Sequence, residues 1–304
     1  MGGDHSGSDG GYETLESKLI GIHLLAGASA GVMEHIIVYP LDTVKTRMQS
    51  MTQKSYKGII ESLRHMMTKE GILRPIRGLN VVIAGTGPAH ALYFSSYEFT
   101  KYFVSNNFRV NDNISYGAAG VIATLLHDAI HVPTDVVKQR LQMYDSPYRN
   151  VIDCIVRVHK QEGLAAFFRS FSTQLVMNIP FHTSHFIAYE FAQNISNPER
   201  HYNVLTHVIS GGLAGGVAAA VTTPLDVCKT FLNTQPTGET VSGLRNAIAY
   251  VYRLGGLAGF FKGTKARVLY TMPSTAICWS TYETFKHFLH EKSDDSRSLV
   301  ESNT

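Results

Sequence analysis

Six apolar stretches, each long enough to cross a lipid bilayer, follow one another along the 304-residue chain. A transmembrane helix needs about 20 residues, and polar residues interrupt most of these stretches without ending them. That mixture is typical of helices with one face toward lipid and another toward a polar cavity. The pattern therefore predicts an all-α membrane protein with six transmembrane helices. They cover roughly residues 21–48, 78–104, 114–141, 171–196, 204–233 and 264–290.

A short signature, Pro-x-Asp-x-x-Lys, closes the odd-numbered stretches and recurs about every 90 residues. One copy would carry little information, but three in register predict three tandem units. The units cover residues 19–108, 109–198 and 199–291, with polar tails at 1–18 and 292–304. The signature residues are Pro40, Asp42 and Lys45, then Pro133, Asp135 and Lys138, and finally Pro224, Asp226 and Lys229.

Small residues predict where the helices approach closely in lipid. Gly211 and Gly215 are four positions apart, and Gly117 and Gly120 occupy the corresponding part of the second unit. Such spacing lets helix backbones meet where apolar side chains gain nothing by leaving lipid. The average composition hides these helices, since the mean hydropathy is only −0.03.

The signatures and their flanks resemble the mitochondrial carrier family over nearly the whole chain. About 25 residues after each signature comes Glu70-Gly71, Glu162-Gly163 or Gly255-Gly256. The resemblance implies a pseudo-threefold carrier fold with three short matrix helices, placed in the mitochondrial inner membrane and working as a monomer. Lys and Arg are concentrated in the segments that follow the signatures, which predicts that these share one compartment. For a carrier that side is the matrix, so both termini face the intermembrane space.

The resemblance also implies two rings of ion pairs that close a central cavity alternately. In the matrix gate Asp42 would pair with Lys138, Asp135 with Lys229, and Asp226 with Lys45. Gln139 resembles the glutamine brace of the family; Thr46 and Thr230 hold the equivalent positions, so we expect one brace and a fairly weak gate. Gln193 replaces a lysine in the opposite, cytoplasmic-side gate, leaving at most two charged links there. That gate comprises Tyr97, Glu98, Lys101, Tyr189, Glu190, Tyr282, Glu283 and Lys286.

Residues that differ among the repeats at cavity depth should select the cargo, because a small cargo is not threefold symmetric. The family's contact positions hold no Lys or Arg here, which disfavours an anionic cargo. Histidine, methionine and asparagine, together with an acid, suit a divalent transition metal, and ionisable residues inside a membrane indicate function. The candidate substrate path comprises Met33, His35, Gly85, His90, His127, Asp128, Met177, Asn178, His182 and Tyr270.

The strings around these residues closely resemble the iron-transporting members of the family. One departure is the segment from His131 to Asp135, where an asparagine before Pro133 and a glutamate as the acid would be more usual. The leading hypothesis is import of Fe²⁺, as transported substrate, toward haem and iron–sulfur cluster synthesis. The alternatives are manganese or copper, a small cationic metabolite, or a non-transporting membrane regulator.

No nucleophile elbow, phosphate loop or nucleotide fingerprint occurs, so we expect neither an enzyme, nor a prosthetic cofactor, nor a nucleic-acid partner. By resemblance, cardiolipin would bind on the matrix side at Tyr56-Lys57-Gly58 and Arg77-Gly78, where helix N-termini suit phosphate. Tyr148-Arg149 matches that motif less well, since Asn150 replaces glycine.

Overall fold

The computed structural model describes residues 35–51, 58–108, 112–198, 204–235 and 241–277, and within these ranges it is helical, with no strand. The helices that lie in the predicted spans are α1 (described over 35–49), α3 (Leu79–Phe108), α4 (Asp112–Gln142), α6 (Phe171–Ser196), α7 (Val204–Thr234) and α9 (described over 264–277). Short helices lie between them: α2 (Ile59–His65, continued by a π-helical turn over Met66–Glu70), α5 (Val151–Glu162) and α8 (Leu244–Gly259).

A helix in a predicted span, a short connecting helix and a second helix in a predicted span follow one another three times, once in each tandem unit. This confirms the predicted all-α fold of six transmembrane helices in three repeats with three short helices between the pairs. Pro133 and Pro224 lie inside α4 and α7, and Pro88 and Pro180 lie inside α3 and α6. A proline inside a helix removes one backbone hydrogen bond and favours a bend.

By apolarity alone, one described helix qualifies as a membrane span: α7, over Leu205–Thr234, with a hydropathy of 1.5. The other long helices described carry more polar residues. This agrees with the low mean hydropathy of the chain and with the prediction that each helix has a polar face.

Close approach between α7 and α9 depends on glycine. A Cβ atom at Gly215 would lie 2.6 Å from Thr275 Oγ1, and one at Gly216 would lie 2.8 Å from Met272 Cγ. The expected tight packing is therefore confirmed on α7. On α4 it stays a prediction, because a Cβ at Gly117 or Gly120 would meet no atom of the described residues within 4 Å.

Two glycines with positive φ place the starts of α3 and α9 against α1. Gly78 (φ 91°) precedes α3, and Gly263 (φ 73°) precedes α9. A Cβ at Gly78 would lie 3.0 Å from Tyr39 Oη, and one at Gly263 would lie 2.8 Å from Gln49 Cγ. Glycine is thus required both by the backbone conformation and by the space available.

The short helices pack on the ends of α1, α4 and α7, the first helix of each unit. Val136 and Leu141 of α4 share a buried cluster with Cys154 and Val158 of α5. Asn150 starts α5 by accepting a hydrogen bond from the backbone N–H of Asp153 at 2.8 Å, as a good N-cap does. An equivalent cluster joins α7 to α8, and a third lies beside α1. These clusters hold the three signature segments in place.

Candidate functional site

The three signature segments meet in a ring of buried ion pairs, here called the signature ring and defined by Asp42, Lys45, Asp135, Lys138, Asp226 and Lys229. The expected partners are in contact in every case. Lys138 Nζ lies 3.0 Å from Asp42 Oδ2, Lys229 Nζ 2.5 Å from Asp135 Oδ2, and Lys45 Nζ 2.9 Å from Asp226 Oδ2. No side chain of the ring is more than 11% exposed. Each pair joins two repeats, so the ring holds α1, α4 and α7 together at this end.

Two glutamines brace the ring, in positions that differ from the expected one. Gln142 donates to Asp42 Oδ2 at 3.0 Å, and Gln49 donates to Asp226 Oδ2 at 2.7 Å. Gln139 instead accepts a hydrogen bond from Asn233 at 3.0 Å. The expectation of a single brace at Gln139 is therefore wrong. The bracing residues lie four positions after a signature lysine, hence on the same helix face.

A second layer of ion pairs, which sequence reasoning missed, lies just beyond the ring. Arg47 makes a bidentate pair with Glu70, with N–O distances of 2.5 and 2.8 Å. Arg140 pairs in the same way with Glu162. Each arginine also donates through Nε to a backbone carbonyl in the following unit. Arg47 donates to the carbonyl of Gln142 on α4 at 2.7 Å, and Arg140 donates to that of Asn233 on α7 at 3.0 Å. The signal was present, because an arginine follows the signature lysine by two positions in both units.

The third unit replaces this ion pair with aromatic packing. Phe231 occupies the position of the two arginines, and Gly255 occupies that of the two glutamates. Phe231 stacks on Tyr250 of α8 with 4.7 Å between ring centroids. Both charges are therefore absent together, so neither is left buried without its partner.

Arg267 of α9 is an additional cation in the ring, present in the third unit. Its Nη1 lies 3.2 Å from Asp226 Oδ2, and it also donates to the carbonyl and hydroxyl of Thr222 at 2.9 Å. Arg267 Nη2 lies 3.8 Å from Met177 Sδ. Met177 is only 7% exposed, so in this state its sulfur is covered by a positive charge. That environment opposes metal binding at Met177 and favours a packing role.

Four of the predicted path residues form one cluster between α3, α4 and α6. The rings of His90 and His127 meet edge to face at 5.4 Å. His127 Nδ1 lies 3.2 Å from Asp128 Oδ1, and the other oxygen of Asp128 accepts from Asn178 Nδ2 at 2.9 Å. His90 Nδ1 lies 2.9 Å from the carbonyl of Thr86. These contacts fix one nitrogen of each imidazole and leave the other for a ligand.

Other path residues make different contacts, although His35 lies close enough to His90 to interact with it electrostatically. Tyr270 lies beneath Lys45, whose Nζ is 5.9 Å from the ring centroid. His182 is exposed on α6 and packs against Phe181, and His35 is half-buried at the first described turn of α1. Met33 lies outside the described residues.

Gly85 has no side chain with which to contact a substrate, and the structure leaves no room for one. A Cβ there would lie 2.5 Å from Thr134 Oγ1 of α4. Its absent side chain instead allows α3 to approach α4. Within the described ranges, no three His, Cys, Asp or Glu side chains converge as a preformed metal site.

Toward the other ends of these helices the structure describes part of the second predicted gate. Tyr97 and Lys101 are half-buried on α3, and Lys101 Nζ lies 5.1 Å above the ring of Tyr116. Glu98 and Glu190 are exposed. Tyr282, Glu283 and Lys286 lie outside the described residues, as do Tyr56 and Lys57 of the predicted lipid site.

A histidine, also missed by sequence reasoning, joins the second and third units near Tyr189. The hydroxyl of Tyr189 lies 2.6 Å from His207 Nδ1, and the amide nitrogen of Gln193 lies 3.2 Å from the same atom. Gln193, which replaces the expected lysine, is 1% exposed. A polar contact with α7 therefore takes the place of the missing charge.

The family model of the mitochondrial carrier protein matches residues 16–108, 110–199 and 200–293, which together span almost the whole chain. The chain belongs to the mitochondrial carrier family. Among its relatives, Mitoferrin-1 of Danio rerio is 53% identical over 299 residues, covering 93% of this chain and 89% of the relative. Human Mitoferrin-2 is 49% identical over 307 residues (96% and 84%), and Mitoferrin of Caenorhabditis briggsae is 47% identical over 306 residues (95% and 97%).

Proposed function

We propose that this carrier imports ferrous iron across the mitochondrial inner membrane into the matrix, for haem and iron–sulfur cluster synthesis. The observation that carries the proposal is the cluster of His90, His127, Asp128 and Asn178 beside the closed signature ring. The near 50% identity to mitoferrins over nearly the full length supports the same cargo.

The charges around the cavity favour a cationic cargo. Lys45, Lys138, Lys229 and Arg267 each have a carboxylate partner within the ring. An anion would have to separate one of these pairs to find a partner, which is costly at such low exposure. Imidazole nitrogens and carboxylate oxygens suit ferrous iron directly. The path runs along the histidines, and Met177 packs beside it.

Transport follows alternating access. The signature ring is the matrix gate, and it is closed in this structure, so the ion enters from the opposite end. Opening requires the three pairs of the ring to separate while the second gate closes, with the cargo held between them. The protein acts as a monomeric transporter without enzymatic activity, and iron is its cargo rather than a resident cofactor. Both termini face the intermembrane space.

Cardiolipin binds at the start of α3 in this proposal. A groove of about 770 Å³ lies there, with Ile72, Leu73 and Ile76 among its apolar walls and Arg74 and Arg77 at its edge. Acyl chains suit the apolar walls, and a phosphate suits Arg77 and the helix N-terminus, whereas Arg74 is paired with Glu70. Loss of lipid-dependent thermal stabilisation in Arg77→Gln would support this site, and unchanged stabilisation would exclude it.

Uptake into liposomes that contain the purified protein tests the cargo. Fe²⁺, supplied without oxygen, should accumulate faster than in empty liposomes, and faster than Mn²⁺, Cu⁺ or an organic cation supplied at the same concentration. Changing His35, His90 and His127 together to Ala should abolish Fe²⁺ uptake without loss of folded protein. Uptake at the normal rate in that variant would show that these histidines serve packing. Equal or faster uptake of another cation would reassign the cargo.

A further inference from the structure

His131 lies between the histidine cluster and the signature ring. On α4 it is one helical turn from His127 and one turn from Asp135, so all three share a face. The rings of His127 and His131 stack with 5.3 Å between centroids, and His131 Nε2 lies 3.6 Å from Asp135 Oδ2. With His90 beside His127, three imidazoles lead in a row to a carboxylate of the ring.

The two imidazoles of this row are more exposed than the carboxylate at the ring. The side chains of His127 and His131 are 23% and 30% exposed, and that of Asp135 is 6% exposed. A cation can therefore reach the imidazoles first, while the carboxylate is accessible through them. Asp128 binds Nδ1 of His127, which leaves Nε2 of that ring for a metal.

The geometry of His131 and Asp135 suits a shared metal ion. Two adjacent ligand atoms about 2.1 Å from a first-row metal ion are separated by about 3.0 Å in octahedral and about 3.4 Å in tetrahedral geometry. The observed 3.6 Å between His131 Nε2 and Asp135 Oδ2 comes within this range after a small side-chain rotation. His127 lies one turn away and would complete the ligand set by a side-chain rotation.

We propose that His131 is a further metal ligand, which takes the ferrous ion from His127 and transfers it to Asp135, where the ion displaces Lys229. The proposal rests on the iron transport proposed above. Asp135 Oδ2 is the atom that binds Lys229 at 2.5 Å, so metal and lysine compete for one oxygen. A divalent ion has about twice the Coulomb attraction of an ammonium group at equal distance. Its arrival therefore opens the link between α4 and α7.

This route exists in one repeat. The position of His131 is held by Val38 in the first unit and by Thr222 in the third. Val38 is 2% exposed, and Thr222 is occupied by Arg267. Neither offers a nitrogen ligand beside its signature aspartate. The link between Asp135 and Lys229 is thus the one that a bound metal reaches first.

Two measurements on the full-length protein test the proposal: anaerobic equilibrium binding of Fe²⁺ in detergent and Fe²⁺ uptake in liposomes. His131→Gln keeps an N–H group near Asp135 but removes the imidazole ligand. We expect its Fe²⁺ affinity to fall at least about tenfold and its uptake to fall with it. Lys229→Gln removes the competitor and should bind Fe²⁺ more tightly, and this gain should vanish when both changes are combined. His159→Gln on the exposed face of α5 is the matched control and should change neither measurement.

Other outcomes would contradict the proposed function, the role of His131 as a ligand, or the competition between metal and Lys229. If the unaltered protein takes up no Fe²⁺, the proposed function fails. If it transports iron while His131→Gln binds Fe²⁺ with unchanged affinity, the function stands and His131 is no ligand, even where uptake is slowed. If Lys229→Gln binds no more tightly, the metal does not compete for Asp135. Should His131→Gln fail to fold, His131→Asn is judged by the same criteria.

Discussion

Reversing charges in the pair between Asp135 and Lys229 tests the signature ring most directly. The two side chains are 6% exposed and 2.5 Å apart, and Lys138 lies 3.3 Å from the other oxygen of Asp135. Asp135→Lys would bring three ammonium groups together, and Lys229→Asp would set two carboxylates side by side. Each single change leaves buried charge without a partner, which costs about 3–5 kcal/mol.

That free energy acts on the state in which the ring is closed. Since about 1.4 kcal/mol is a tenfold change in an equilibrium, the closed state should lose roughly a hundredfold to a few thousandfold in population relative to the open one. Initial Fe²⁺ uptake in liposomes should fall severely in each single variant. The double variant restores an opposite pair in swapped order and should recover part of the rate. Full recovery is not expected, because the new lysine at position 135 faces Lys138.

Non-additivity between the two changes is what demonstrates contact. Arg157→Asp is a suitable control, since it reverses a charge in a pair that is 44% and 21% exposed, where solvent screens the charges and the change should have little effect. A double variant no faster than the worse single variant would mean that Asp135 and Lys229 do not interact during transport. The assignment of the ring as a gate would then have to be abandoned.

Three further predictions concern packing and the second layer of charges. Gly85→Ala should destabilise the protein by about 1–3 kcal/mol, because its Cβ would overlap Thr134. Gly87→Ala is the control, since a Cβ there meets open space, and it should not destabilise the protein. Equal melting temperatures of the two variants would refute the close contact. Burial opposes ionisation of Glu162, but Arg140 and then Arg169 outweigh it and lower the pKa of Glu162 below its ordinary 4.5. The ionised Glu162 should therefore contribute its full stabilisation above about pH 4.5 and lose it as the pH falls through the lowered pKa. If the melting temperature of the unaltered protein depends on pH in the same way as that of Glu162→Gln, this prediction is contradicted. Met177→Leu keeps the volume nearly constant and should preserve the preference for iron over manganese in competitive uptake; a changed preference would show that the sulfur binds metal in another state.

The threefold ring could be predicted because the repeat determines it. Equal residues at equal positions in three similar helices must lie at one height, so Asp42, Asp135 and Asp226 lie level with the three signature lysines with which they pair. The braces could have been found by the same logic. Gln139 directly follows Lys138 and so lies about 100° around the helix from it, whereas Gln142 lies one full turn further on the same face. The prediction of Gln139 as the brace was wrong because it placed the brace on the wrong face of the helix.

Other features were decided by contacts between helices that no single stretch of sequence encodes. Gly85 looks like an open contact position until Thr134 of α4 fills the space beside it. Met177 looks like a metal ligand until Arg267, 90 residues later in the chain, covers its sulfur. His131 acquires its significance from the distances to His127 and Asp135, and from the lysine that α7 brings to the same oxygen. Periodicity determines which residues share a face and a height, but packing between helices determines what each face meets, because side chains distant in sequence compete there for the same few ångströms.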